Sequence, residues 1–203
     1  MSNTVIPAVE RSFRILDLLG RSPEPLGTSE VARRLRLAKS SAHGLLRSLE
    51  EVGAVEEVRH RYRLGPAVQR LAALGELRRR WRPVLERLAG EVEETAFLAQ
   101  PRGSRVVIVD EVLGSGVPVV SAPAGSHVPA SAAAIRGVLA GAPLVEDRGE
   151  YLHGVNAVAA AVPGGVVLVA GFAERLDGAR LHKARELMAR LLRERGVEAS
   201  GPR

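Results

Sequence analysis

Six residues that suit anion recognition crowd into one stretch, LRLAKSSAHGLLRSLEEVG: Lys39, Ser40, Ser41, His43, Gly44 and Arg47. A lysine and two serines at a helix start can hold a phosphate together with the free backbone N–H groups there. Further along, His43 can reach a base edge, and Arg47 carries the planar fork that pairs with guanine. Gly44 costs about 1 kcal/mol against alanine inside a helix, but it lets the backbone come close to whatever lies opposite. Ala42, Leu45, Leu46, Leu49 and Val52 take the other side, at the three- and four-residue steps of a buried stripe. An ordinary surface helix spends its outer face on Glu/Lys pairs. This one is small, slightly basic and rich in hydrogen-bonding groups.

Other constellations point to less. Asp147, Glu150 and His153 stand three apart, with His127 elsewhere. Zinc prefers close His or Cys pairs on rigid elements, whereas these fall at a loop-to-strand junction, so a solvated loop and no metal are expected. Ser121, Ser126 and Ser131 lack the elbow and partnered histidine of a nucleophile. LGSGVP and PGGVV fit turns and lack the following Lys-Ser/Thr of a phosphate loop. With no cysteine, disulfides, thiolate metal sites and cysteine nucleophiles are excluded. Neither an enzyme nor a cofactor is expected.

Hydrophobic spacing supplies the elements that must position the basic face. Val9, Phe13, Ile15, Leu16 and Leu19 predict a first helix over Ala8–Leu19, ended by Gly20 and RSPEP. Thr28 reads as the N-cap of a short second helix carrying Val31, Ala32 and Leu35. The third helix begins near Ala38 or Lys39 and stops at Gly53. The period then changes to two: AVEEV and YRL read as strands around a basic tip of Arg59, His60 and Arg61. Three helices followed by a basic hairpin is the order of a winged helix-turn-helix, whose third helix enters the DNA major groove. On that reading Arg47 and His43 read bases, while Lys39, Ser40, Ser41, Arg59, Arg61 and Arg63 hold phosphates. Thr28, Gly44 and His60 complete the expected contact set.

A linker helix is expected from Pro66 to about Arg82, with an apolar seam of Val68, Leu71, Ala72 and Leu74. That seam suits a partner helix from a second copy or packing on its own domain. Pro83 is expected to start another helix, PVLERLAGEVEE. TAFLAQ, RVVIVDEV and VPVVSA then read as antiparallel strands, Ser131–Ala140 as a helix, and GVNAVAAAV with VVLVAGF as a hairpin across Pro163, Gly164 and Gly165. Asp177–Arg195 closes the chain as an amphipathic helix before a frayed tail, GVEASGPR. The fold class is α+β: a winged helix-turn-helix over 1–66, a linker and dimerisation helix over 67–82, and a shortened antiparallel-sheet sensor-like domain over 83–203.

Charge divides the same way. Of 203 residues, 1–82 hold 16 Lys+Arg against 9 Asp+Glu, while 83–203 hold 13 against 14. Arginine supplies 27 of the 29 basic residues, a usage that explains Arg over Lys but not the confinement of the excess to one end. A polyanion partner for the first part is the natural reading. The opening MSNTVIPAVERSF lacks the features of a secretion signal and no apolar run reaches membrane-spanning length, so a cytoplasmic protein with no membrane partner is expected.

VERSFRILDLLG, TSEVARRLRLAKSSAHGLLRSLEEVGAV and YRLG resemble, in order and spacing, the IclR family of bacterial transcriptional regulators. The resemblance continues through RPVLERLAGEVEETAFLAQ, GSHVPASAAAIRGVLA and EYLHGVNAVAAAV. It implies a homodimer or dimer of dimers on a pseudo-palindromic operator in double-stranded DNA, acting as a repressor. It also implies a C-terminal domain that binds a small-molecule effector. Lys39, Ser40 and Ser41 resemble the family's Lys-Ser-Thr opening, but Gly44 stands where many members carry arginine, and Arg136-Gly137 replaces a usual glycine then lysine. Between Ala140 and Glu146 only a short link remains where relatives have further elements.

The family's effector positions fall on Ala134 and Ile135 in a loop, Asp147 before the sheet, Val155 and Ala157 on one strand, and Ala170 and Phe172 on the next. Relatives holding small carboxylates often place serines on that last strand. A carboxylate ligand wants N–H and hydroxyl donors, and this set is nearly all apolar. The expectation is a hydrophobic or vestigial pocket serving a small apolar metabolite. Two rivals remain: a winged helix that contacts protein without specific DNA binding, and a small-molecule enzyme in the C-terminal half.

Overall fold

The computed structural model describes residues 6–197. Residues 1–5, where the opening segment begins, and 198–203, most of the expected tail, lie outside them. The chain divides into two compact units, Met1–Gly75 and Glu76–Arg203.

The first unit holds α1 (Pro7–Gly20), α2 (Thr28–Leu35), α3 (Lys39–Glu51), β1 (Val55–Val58), β2 (Arg61–Leu64) and the start of α4 (Pro66–Val92). Its core is Ile15 and Leu19 of α1, Val31 and Ala32 of α2, and Ala42, Leu46 and Leu49 of α3, closed by Val55 and Tyr62 of the hairpin. Helix α3 stops in a Schellman arrangement: Gly53 takes φ +69° and its N–H bonds the Glu50 carbonyl, while the Ala54 N–H bonds that of Leu49. The chain then turns straight into β1. Gly65 is required by contact, since a Cβ there would lie 2.4 Å from the Gly53 carbonyl oxygen.

Thr28 is the first helical residue of α2 and not its cap. Gly27 occupies the cap position, and no side chain caps the helix. The reason is tertiary: Leu26 exchanges both backbone hydrogen bonds with Tyr62, at 3.0 and 2.8 Å. This pairing carries the chain extended through Gly27, whose carbonyl then accepts the N–H groups of Glu30 and Val31.

The second unit is a six-stranded antiparallel sheet in the order β5-β4-β3-β8-β7-β6. These are β3 (Thr95–Arg102), β4 (Arg105–Val112), β5 (His127–Pro129), β6 (Leu144–Arg148), β7 (Val155–Val162) and β8 (Gly165–Phe172). Strand alternation splits the apolar residues between two faces. Ala96, Leu98, Val158, Ala160, Val167 and Val169 join Trp81, Leu85 and Leu88 of α4 and Leu181, Met188 and Leu191 of α6 (Gly178–Glu194). Phe97, Ala99, Ala170, Ala159 and Val166 face the other way, toward α5 (Ala133–Leu139).

Four further expectations are corrected. Ala134 and Ile135 lie in helix α5 and not in a loop. VPVVSA is not a strand. Pro118 has no N–H for a ladder, and the Ala122 N–H and Ser121 hydroxyl bond the Glu111 carboxylate instead. Strand β5 pairs with β4 in its place. Asp147 lies within the edge strand β6, opposite Ala157, and not ahead of the sheet. Finally, α4 runs unbroken through Pro83. Trp81, Val84, Leu85 and Leu88 are all buried around that proline, and their burial outweighs the lost hydrogen bond.

Pro83→Ala restores a helical N–H without touching the buried face. It should stabilise the second unit by about 1–3 kcal/mol, measured by urea denaturation. A neutral or destabilising result would mean that the helix is broken there.

Candidate nucleic-acid interface and ligand cavity

Helix α3 is sharply two-faced. Ala42 and Leu46 are fully buried, whereas Lys39, Ser40, Ser41, His43, Gly44 and Arg47 are all exposed. Positions 40, 43, 44 and 47 fall at helical spacing on one face. No side chain caps the N-terminus, and no acidic residue stands in the first turn. The orphan N–H groups of that turn therefore remain for an outside acceptor. Arg47 keeps a mostly exposed guanidinium, with Glu50 Oε2 only as near as 3.9 Å.

Gly44 answers to nothing inside the protein. A Cβ built there meets no atom within 4 Å, and its φ is ordinary. Neither packing nor backbone geometry asks for glycine at this point. The position is kept bare toward solvent.

The hairpin tip shows a related feature. Arg59 and His60 both adopt left-handed backbone, at φ +51° and +60°. Turns of this kind prefer Asn-Gly or Asp-Gly, and left-handed conformation costs ordinary residues roughly 1–2 kcal/mol each. Basic side chains are thus placed at the tip at an energetic cost. The His60 Nδ1 lies 3.1 Å from Glu57, which also accepts a hydrogen bond from the Tyr62 hydroxyl. Burial, and then this carboxylate, push the Tyr62 phenol pKa up. Arg61 donates to the Pro25 carbonyl at 2.8 Å, and Arg63 pairs with Glu56. Those two arginines brace the wing as well as charging it. Thr28, half-buried at the start of α2, stands apart from α3 in sequence and has no side-chain hydrogen bond among the described residues.

In the second unit the sheet face opposite α4 and α6 encloses a cavity of about 200 Å³. Six of the seven expected effector positions line it: Ala134, Ile135, Asp147, Val155, Ala157 and Ala170. Phe172 does not. It sits opposite Val155 at the end of β8, with the Arg175 guanidinium 5.9 Å from its ring. Among the wall residues that sequence reading missed are Phe97, Ile108, Ser121, Tyr151 and Leu152. Phe97 and Ile108 were legible only as core strand residues, and Ser121 arrives through the long-range bond to Glu111.

An ion pair with one buried partner holds the irregular segment that follows β4. Glu94, 1% exposed, accepts two hydrogen bonds from Arg175, at 2.8 and 2.9 Å, and Arg175 also donates to the Pro118 carbonyl. The Glu94 carboxylate pushes the Arg175 pKa up. Among the described residues no three His, Asp or Glu side chains converge to hold a metal ion, Asp147, Glu150 and His153 included. None of the described helices is long and apolar enough to cross a membrane.

Three helices, a strained basic wing and an antiparallel-sheet unit with an apolar cavity define a winged helix-turn-helix protein with an α+β partner domain. Residues 8–59 match the IclR helix-turn-helix domain. It is 30% identical over 138 residues to the HTH-type transcriptional regulator TtgV of Pseudomonas putida, covering 66% of this chain and 53% of that protein. To the glycerol operon regulatory protein of Streptomyces coelicolor it is 38% identical over 104 residues, covering 47% and 41%. The chain spans about half the length of the curated relatives it matches. The crystal structure of the Thermotoga maritima IclR superposes with a TM-score of 0.53 at 20% identity, covering 93% of this chain and 98% of that one, a likeness of fold.

If Gly44 and His60 serve something outside the chain, relieving them should make the free protein more stable. Gly44→Ala should raise the stability of the first unit by about 1 kcal/mol, and His60→Gly by up to about 1 kcal/mol. Thermal denaturation checks both. Loss of stability in Gly44→Ala would mean that the glycine has an internal role.

Proposed function

We propose that the chain is a sequence-specific DNA-binding transcriptional regulator, acting as a homodimeric repressor in the cytoplasm. The observation that carries this reading is the outer face of α3, where an exposed glycine that nothing internal requires sits between an uncapped basic entry and a mostly exposed arginine. Such a face suits the floor of a major groove. Arg47 and His43 read base edges. Lys39, Ser40 and Ser41 hold a phosphate at the helix start, and Arg59, His60, Arg61 and Arg63 carry the wing to the backbone.

The exposed stripe Ile6, Val9 and Phe13 on α1, with Leu71 at the start of α4, supports pairing with a second copy. Phe13 is 69% exposed, which is costly for a monomer in water. Residues 67–82 then serve as linker and dimerisation helix, and two recognition helices read a pseudo-palindromic operator. The cavity of the second unit is the seat of a small apolar effector, and no catalysis is assigned to it. The same exposed stripe is what favours the alternative, a winged unit that contacts another protein.

Equilibrium binding to duplexes selected from a random library tests this. Arg47→Ala should cut discrimination against a mismatched site by about 1–3 kcal/mol. Lys39→Ala should weaken all duplexes alike and lower the salt slope by about one. Gly44→Ala should lose about tenfold in affinity, roughly 1.4 kcal/mol, despite its gain in stability. Equal losses on selected and random DNA for Arg47→Ala would remove the base-reading role. Failure to select any sequence would favour the protein-contact alternative.

A further inference from the structure

Asp147 is the one formally charged side chain in the wall of the apolar cavity, and it is only 5% exposed. Its Oδ1 accepts the N–H groups of Glu150 and Tyr151, at 2.8 and 3.4 Å. Among the described residues it has no ion-pair partner. The adjacent Arg148 turns away to Glu146 and Asp177, and Arg185 also serves Glu146. No described hydrogen bond reaches Oδ2. A carboxylate at this depth without a cation is costly, and the rest of the wall, apart from Ser121 and the rim residue Tyr151, offers it nothing but hydrocarbon.

Resting on the reading of this cavity as a ligand seat, we infer that its ligand is a compact hydrophobic amine. Its apolar body fills the space among Phe97, Ile135, Ala157 and Ala170, and its ammonium group pairs with Asp147. A cavity of this size holds one ring with a short arm, since an engineered cavity of roughly 150 Å³ takes benzene. An alcohol would donate a hydrogen bond and leave the charge uncompensated. The ammonium neutralises it where the low dielectric makes the pairing strongest. A carboxylate ligand meets a like charge and few donors. Because Asp147 also holds the backbone of Glu150 and Tyr151, its pairing reaches the segment at the cavity mouth, where Tyr151 and Leu152 stand half exposed between Gly149 and Gly154.

The test is calorimetric titration of the full chain with four single-ring probes of similar size: benzylamine, benzyl alcohol, toluene and benzoate. Benzylamine should bind tightest, by about tenfold or more over the alcohol and toluene, and benzoate should not bind. Asp147→Asn keeps the shape and an acceptor for the two N–H groups but removes the charge, so it should erase the preference for the amine while leaving toluene unchanged. If that variant fails to fold, the ranking on the unaltered protein still decides. Toluene or benzyl alcohol binding as tightly as benzylamine would overturn the amine and leave the cavity a ligand seat. So would tighter binding of benzoate. No binding of any probe would overturn both.

Discussion

The paired hydrogen bonds between Leu26 and Tyr62 tie the wing of the first unit to the segment that enters α2. They add a third, one-residue strand to the β1–β2 hairpin and so fix the wing against the segment that enters α2. The start of α2 follows from them, because Gly27 must leave that pairing extended. Tyr62 is buried at the same place, and Arg61 reaches across to Pro25 beside it. With the wing anchored at Tyr62, close behind the turn, its tip can carry Arg59 and His60 in strained conformations without loosening the hairpin. Buried apolar contacts from Ile15 to Leu49 then hold α3 with one face inward. The opposite face is thereby left with no structural duty.

A similar division governs the second unit. Alternation along β3, β7 and β8 sends one set of side chains to the long helices and the other toward α5 and the cavity. The first set packs large residues such as Trp81, Leu98 and Met188. The second includes alanine at 99, 157, 159 and 170, and those at 157 and 170, with Ala134 of α5, line the space. Close approach at Gly137, whose Cβ would lie 2.8 Å from the Val145 side chain, draws α5 onto the edge strand β6.

Local pattern sufficed for much of this. The stripe of Ala42, Leu46 and Leu49 made α3 legible, and the change to a period of two marked the wing. Apolar runs around the Pro163-Gly164-Gly165 turn marked β7 and β8, while Ala157 and Ala170 were placed in a pocket by the family resemblance and not by local pattern. What was not legible depended on partners far along the chain. Thr28 is a good N-cap residue by type, yet the Leu26–Tyr62 pairing moved the cap to Gly27. Pro83 is a breaker by type, yet the buried residues on either side of it carry the helix through. VPVVSA has strand composition, but Glu111 takes its N–H and hydroxyl groups. The strain at Arg59 and His60 has no signal in composition at all, since it is visible only as backbone angles.

The central claim is that the outer face of α3 is kept clear to read DNA sequence. The most direct measurement is to incubate the purified protein with sheared DNA from its source, recover what stays bound at moderate salt, and sequence it. A few enriched fragments sharing an inverted repeat, with the two halves about one helical turn apart, are the predicted result. Uniform recovery of the whole genome would contradict the claim, leaving the basic charge of the first unit as a non-specific attraction.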